Sequence, residues 1–198
     1  MAEQPVGERA EPVRVPPPPA YEYYYVVQRP RVVVKRDLLP GFSVLSAISL
    51  VGLPIGWLWA LLAPPQNVVV QADASLVPVT GESYHRLDGL MLFVLVGLGV
   101  GLLTGIAVWM LRERRGPVVM VAATLGSVVA AYLAQRTGLG AAGRRYALDA
   151  APAVGDLIAL APVLETSWGL LAWPLGAALA YGCLAAWNGL DDLGRRLG

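Results

Sequence analysis

An apolar stretch from Gly89 to Leu111 contains no ionisable residue over 23 positions. Read as a helix rising about 1.5 Å per residue, it is long enough to cross a hydrocarbon core of roughly 30 Å. Gly97, Gly101 and Gly105 recur at every fourth position, a spacing that lets two membrane helices approach closely. The stretch therefore predicts a transmembrane helix whose glycine face packs against another helix of the chain or against a second copy.

The composition extends this prediction to the whole chain. Of the 198 residues, 56% are hydrophobic and 15% are charged, which is outside the usual range of soluble domains. Three further apolar runs are long enough to span, at 42–63, 117–134 and 166–187. In the first of these, Gly52 and Gly56 flank a kink expected at Pro54 and are also predicted to pack against a helix. We predict an all-α membrane protein with four transmembrane helices, of which 89–111 and 117–134 form an antiparallel hairpin.

The polar segments divide the chain further. Residues 1–40 form a Pro/Tyr-rich tail that we expect to be disordered, 41–190 a four-span membrane domain, and 191–198 a second tail. The loops at 64–88 and 135–165 lie on the opposite side from the tails. In the first loop, the runs 67–71 and 76–80 favour a β-hairpin with Pro78 on an edge strand. The run 157–164 is too short to span, so it lies in the interface or covers the hairpin, which completes a small extracytoplasmic β-hairpin/loop cap.

The arginine and lysine residues indicate the orientation. Nine of them flank the spans on the side of the N-terminus: Arg29, Arg31, Lys35, Arg36, Arg112, Arg114, Arg115, Arg195 and Arg196. Four lie in the loops on the other side: Arg86, Arg136, Arg144 and Arg145. Cytoplasmic loops carry an excess of these residues in membrane proteins. The bias predicts a multi-pass protein of the inner (plasma) membrane with both termini in the cytoplasm.

The chain has one histidine, His85, close in sequence to Asp73, Glu82 and Asp88. Such side chains can bind a divalent metal or transfer protons, but no two of them stand at a recognisable ligand spacing, and a solvated histidine is the alternative. Asp88 and Glu165 directly precede or open spans, where carboxylates cap helix N-termini. We therefore predict no catalytic, cofactor-binding or metal-binding residue, no cofactor and no nucleic-acid partner. The expected partners are the lipid bilayer and a membrane protein or a second copy of the chain.

Several short elements resemble a family of small actinobacterial four-span membrane proteins known as a domain of unknown function. They are Gly-Leu-Pro-Ile-Gly-Trp at 52–57, Leu-Ala-Pro at 62–64, Asp-Gly at 88–89 and Trp-Pro at 173–174. The resemblance covers residues 36–187 and implies no activity or cofactor. We hypothesise a structural or accessory partner in a cell-envelope membrane complex. The alternatives are a passive or lipid-facilitating transport component and an outer-face enzyme that uses His85 and Asp88.

Overall fold

A computed structural model of the chain describes residues 34–79, 85–111, 116–148 and 150–188, and only the backbone of 34–37 and 85–86. The Pro/Tyr-rich segment before residue 34, the charged segment 112–115 and the segment 191–198 lie outside these ranges. Within them the chain is mostly helical, with α1 at Val34–Leu62, α2 at His85–Trp109, α3 at Pro117–Arg145 and α4 at Ala172–Trp187. Four helical segments of the described residues are long and apolar enough to cross a membrane, which confirms the predicted helical class: Leu38–Leu62, Leu87–Trp109, Pro117–Arg145 and Ser167–Trp187.

Several helix boundaries differ from those expected. Helix α1 begins at Val34 and not at 42, so residues 34–40 belong to a helix and not to the expected disordered tail. Helix α2 begins at His85 and not at 89. The third apolar run was expected to end at 134, but α3 continues to Arg145, so residues 135–145 are helix and not loop. Pro117 opens α3 at a position that tolerates a missing N–H donor. The fourth run starts as a 3-10 helix at Ser167–Leu171, and the Thr166 hydroxyl accepts a hydrogen bond from the Trp168 amide at its start. Pro174 lies in the first turn of α4, where its ring removes no helix hydrogen bond.

The helices pack as two pairs of non-consecutive elements, α1 along α3 and α2 along α4. The contact points advance together in each pair, which means that paired helices run parallel: Gly41 lies beside Ala122 and Gly56 beside Ala134, while Gly97 lies beside Ala172 and Gly105 beside Ala180. Helices α2 and α3 run antiparallel as expected, but they have little contact with each other, because their small-residue faces are turned toward α4 and α1.

A small antiparallel sheet lies at one end of the helices. Its three strands in the described part of the chain have the order β2-β1-β3. Strand β1 at Gln66–Val70 pairs with β2 at Leu76–Pro78 and with β3 at Leu157–Leu160. The hairpin is therefore present, and Pro78 lies on an edge strand, where a missing N–H is tolerated. The run 157–164 was expected either to lie in the interface or to cover the hairpin. Its first half, Leu157–Leu160, pairs with β1 and so adds a third strand to the hairpin. We call this end of the helices the sheet end and the opposite end, where α2 and α4 finish, the tail end.

The hairpin turn is held by one carboxylate. The hydroxyl and the amide of Ser75 both donate to Asp73 Oδ1, at 2.6 and 3.0 Å. These two hydrogen bonds stabilise the charged form and hold the pKa of Asp73 below its ordinary value of 3.8. Ala74, between them, has a positive φ of 60° and so occupies a left-handed conformation.

Six hydroxyl side chains of the described helices donate to the carbonyl oxygen four residues earlier, at 2.7–3.0 Å: Ser43, Ser49, Thr104, Thr124, Ser127 and Thr137. These six hydroxyl groups therefore have a hydrogen-bond partner within their own helix and need none from a neighbouring helix or from lipid.

Candidate functional site

The glycines of α2 face α4 along what we call the α2/α4 seam. A Cβ atom placed on Gly101 would overlap the carbonyl oxygen of Trp173 and lie 3.1 Å from the Cα of Gly176. On Gly105 it would lie 2.8 Å from Ala180 Cβ, whereas on Gly97 the nearest atom, Ala172 Cβ, is 3.5 Å away. Of the two partners considered for this face, a helix of the same chain occupies it. The backbones touch directly at Gly101 and Gly105 and less tightly at Gly97.

The glycines of α1 face α3 along the α1/α3 seam. A Cβ on Gly52 would overlap the carbonyl oxygen of Ala130, and one on Gly56 would overlap the carbonyl oxygen of Ala134. The matching face of α3 presents a small residue at every fourth position, and all of these residues are buried: Ala122, Gly126, Ala130, Ala134, Gly138 and Ala142. The sequence predicts a small-residue face on the third span at Gly126, Ser127, Ala130 and Ala131. The continuation of the row through Gly138 and Ala142 was missed, because the helix was expected to end at 134.

At the sheet end the two pairs are joined by Trp59. Its indole N–H donates to the carbonyl oxygen of Gly89 in α2 at 2.8 Å, and its ring meets that of Phe93 edge to face with centroids 5.9 Å apart. The same ring lies 2.7 Å from where a Cβ on Gly138 of α3 would be. Trp59 is only 1% exposed. It therefore connects α1, α2 and α3 at once, and its ring lies inside the protein and not on the outer surface of α1.

At the tail end the corresponding residue is Tyr181 of α4. Its hydroxyl accepts a hydrogen bond from the Gly116 amide at 3.1 Å and lies 3.4 Å from the Gly116 carbonyl oxygen, just before α3 begins. Its ring also meets that of Trp109 in α2 edge to face at 5.3 Å. Trp59 and Tyr181 are thus aromatic clamps at opposite ends of the joint between the two helix pairs.

The residues considered for an outer-face active site are not assembled in the described part of the chain. Asp88 lies in the first turn of α2 and Asp73 in the hairpin turn. Glu82 and the side chain of His85 lie outside the described residues. Among the residues that are described, no three histidine, cysteine, aspartate or glutamate side chains lie close enough together to hold a metal ion.

A groove between α1 and α3 at the sheet end carries positive charge. It has a volume of about 470 Å³ and is lined by Leu53, Trp57, Arg136, Thr137, Gly140, Ala141 and Arg144. The Nε of Arg136 donates to the Tyr132 hydroxyl at 3.0 Å, and its guanidinium carbon lies 5.4 Å from the centre of that ring. A neighbouring cation, Arg145, lies outside the groove and reaches the Leu61 carbonyl oxygen at 3.3 Å. Two guanidinium groups beside apolar walls form an environment suited to an anion.

The fold and these contacts define a class of protein: a helical chain with four span-length apolar helices in its described ranges, two parallel seams of small residues and a three-stranded sheet at one end. The family described as "Protein of unknown function (DUF2567)" matches residues 48–195, and the chain belongs to that family. The resemblance to an actinobacterial family of unknown function is thereby confirmed.

The similar proteins come from mycobacteria. The chain is 36% identical over 175 residues to an uncharacterized protein of Mycobacterium leprae, an alignment that covers 78% of this chain and 87% of that protein. It is 32% identical over 171 residues to uncharacterized proteins of Mycobacterium bovis and Mycobacterium tuberculosis, covering 74% of this chain and 86% of each of them. No solved structure matches the chain significantly.

Proposed function

We propose that this chain is a multi-pass protein of the plasma membrane, with both termini in the cytoplasm and the sheet end outside. Exposed tryptophans support the proposal: Trp57 (58% exposed) and Trp168 (78%) lie toward the sheet end and Trp187 (92%) at the tail end. Trp168 and Trp187 stand 19 positions apart, or about 28 Å along a helix, close to the roughly 30 Å of a hydrocarbon core. Tryptophan is enriched at both membrane surfaces.

Within the membrane, we propose a structural or accessory role in a cell-envelope complex. The observation that carries this proposal is that backbones touch along both seams at glycine positions, which makes each parallel helix pair a filled, rigid unit. The surfaces left for recognition are the outer helix faces and the sheet, where Val154 and Leu157 are exposed. The proposed partner is a membrane protein or a second copy of the chain.

Labelling of single cysteines tests the orientation. In a Cys183→Ser background, Ala72→Cys places a thiol in the exposed hairpin turn, and Gln4→Cys places one in the tail that precedes α1. A membrane-impermeant maleimide is expected to label Ala72→Cys in intact cells and Gln4→Cys only after permeabilisation. The reverse pattern would contradict the proposed orientation.

Site-specific photo-crosslinking in living cells tests the role in a complex. A photoreactive residue at Val154 or Leu157 on the sheet end is compared with one at Leu103, which is exposed on α2. We expect the sheet-end positions to give the same discrete protein adduct in repeated preparations, and Leu103 to give mainly lipid adducts. A sheet end that yields no protein adduct would count against the accessory role.

A second candidate, a lipid-facilitating transport component, is favoured by the arginine groove beside Trp57. Proteoliposomes that contain the purified chain would then exchange a fluorescent phospholipid between leaflets faster than empty vesicles. Equal rates would remove this candidate.

A further inference from the structure

We propose that the groove between α1 and α3 at the sheet end binds the phosphate of an anionic phospholipid headgroup. The inference deepens the proposed function and rests on its membrane part, because only a membrane-embedded groove meets a lipid. It does not rest on the accessory role.

Two cations of α3, Arg136 and Arg144, line the groove. Arg136 and Arg144 stand eight residues apart on α3, and helical side chains lean toward the N-terminus of their helix. Accordingly Arg144 Nη1 lies 3.9 Å from where a Cβ on Gly140 would be, over the residue midway between the two arginines. Tyr132 engages Nε of Arg136, which leaves the donors on its two Nη nitrogens for a ligand. Within the described ranges, neither arginine forms an ion pair with a carboxylate.

The groove has room for a headgroup. Gly140 has no side chain, so the surface of α3 beneath the Arg144 guanidinium group is open. The volume of about 470 Å³ falls within the roughly 300–1,000 Å³ of small-ligand sites. A bare phosphate ion would fill only a small part of it, whereas a phosphodiester with its glycerol and headgroup would fill much more.

The apolar wall of the groove favours a lipid over a free anion. Leu53 and Trp57 of α1 form one side of the groove, and both are exposed. Leu50, one turn earlier on α1, is also exposed and extends this apolar surface toward the middle of the helix. An acyl chain can lie along this surface while its phosphate meets the arginines, since guanidinium groups bind phosphate through paired hydrogen bonds.

The test measures lipid retention by the full chain. Protein purified in a non-ionic detergent is mixed with phosphatidylglycerol or phosphatidylcholine, and bound lipid is measured by native mass spectrometry. We expect preferential binding of phosphatidylglycerol, weakened about tenfold or more in Arg144→Gln because a charge-assisted contact is lost. Arg145→Gln removes the same charge from the same helix end but outside the groove, and it is expected to bind like the unaltered chain.

A second pair of variants tests the space without changing any charge. Leucine at Gly140 would project into the groove, where the nearest atom to its Cβ is the mobile end of Arg144, and leucine at Gly143 would project into open space. Neither change disturbs a seam, so both variants are expected to unfold at the temperature of the unaltered chain. Gly140→Leu is expected to lose phosphatidylglycerol binding and Gly143→Leu to keep it.

Three results would overturn the inference: equal binding of the two lipids, equal losses in Arg144→Gln and Arg145→Gln, or displacement of the lipid by millimolar inorganic phosphate, which would make a free anion the ligand. Failure of the membrane proposal is a separate result. It would be seen as release of the chain from membranes by alkaline carbonate, whatever its lipid binding in detergent.

Discussion

In both helix pairs the backbones approach closely at glycine positions, but the residues that face these glycines differ. In the α1/α3 seam both helices present small residues, and the contact runs from Gly41 to the last turn of α3. In the α2/α4 seam the glycines of α2 face a helix with buried aromatic residues, and Trp173 Nε1 donates to the Thr104 hydroxyl at 3.2 Å. The first seam depends on close approach of two backbones, with hydrogen bonds from Thr137 and Arg145 to carbonyl oxygens of α1. The second seam also has a buried aromatic side chain that is hydrogen-bonded across it.

The largest expected effect is in the α1/α3 seam. In Gly52→Ile the new Cβ would overlap the Ala130 carbonyl group, and backbone atoms cannot move aside without separating the helices. We expect the free energy of unfolding, measured by SDS titration in mixed micelles, to fall by at least about 3 kcal/mol. Gly41→Ala is the control in the same seam, since its Cβ would make an ordinary contact with Val118 at 3.4 Å. Similar losses in both variants would contradict the backbone-contact account.

The corresponding change in the other pair is Gly101→Ile, which overlaps the Trp173 carbonyl oxygen. We expect the free energy of unfolding to fall by about 2–3 kcal/mol. This is somewhat less than at Gly52, because the hydrogen bond from Trp173 to Thr104 still holds this seam. Gly99→Ile in the same helix is the matched control, because nothing lies within 4 Å of its Cβ. If the two variants were equally stable, α4 would not occupy the glycine face of α2.

At the joint between the two pairs, we expect Trp59→Phe to lower the free energy of unfolding by about 1–2 kcal/mol. Phenylalanine cannot donate to the Gly89 carbonyl oxygen and fills less of the space among three helices. Trp57→Phe, two residues earlier and exposed, should change the same unfolding titration little. A cost at Trp57 as large as at Trp59 would mean that the joint between the pairs does not depend on this clamp.

At the other end of the joint, we expect Tyr181→Phe to cost about 1 kcal/mol, since it leaves the buried Gly116 amide without its partner but keeps the ring against Trp109. Faster hydrogen exchange of the Gly116 amide would report the lost contact directly. Tyr132→Phe, whose hydroxyl is exposed and serves Arg136, is the control and should leave that exchange rate unchanged.

The difference between the pairs also explains which parts of the fold sequence reasoning could predict. Long apolar runs and the turn signals around Ala72 were sufficient for the four helices and the hairpin, since both are local patterns. The third strand was left open because pairing of Leu157–Leu160 with Gln66–Val70 joins segments about 90 residues apart. The partner of each helix was missed for the same reason, because chain order favours neighbours and small residues on matching faces decide otherwise.

The arginine groove could not be predicted from the sequence either. Arg136 and Arg144 were assigned to a loop, because the third span was expected to end at 134. Beyond that point Gly138, Gly140 and Gly143 lower the helix propensity of the chain. Packing of Gly138 against Trp59 overrides that propensity and extends α3. The two arginines then fall on one side of a helix with a glycine between them, an arrangement that no reading of 135–165 as loop could anticipate.

The smallest expected effect lies in the sheet, outside both helix pairs. The hydrogen bonds from Ser75 stabilise the ionised form of Asp73, so its folded pKa is depressed. The stability that they contribute is present above the unfolded pKa, near 3.8, and is lost as the pH falls through the lower folded value. The Ser75 amide resonance of the chain in detergent should therefore titrate with a midpoint below 3.8, and Asp73→Asn should abolish the titration. A midpoint at or above 3.8 would contradict the turn geometry. Because residues 71–75 of the hairpin turn are all exposed, we expect the unfolding of the helix pairs not to follow this titration, which would separate the stability of the sheet end from that of the helices.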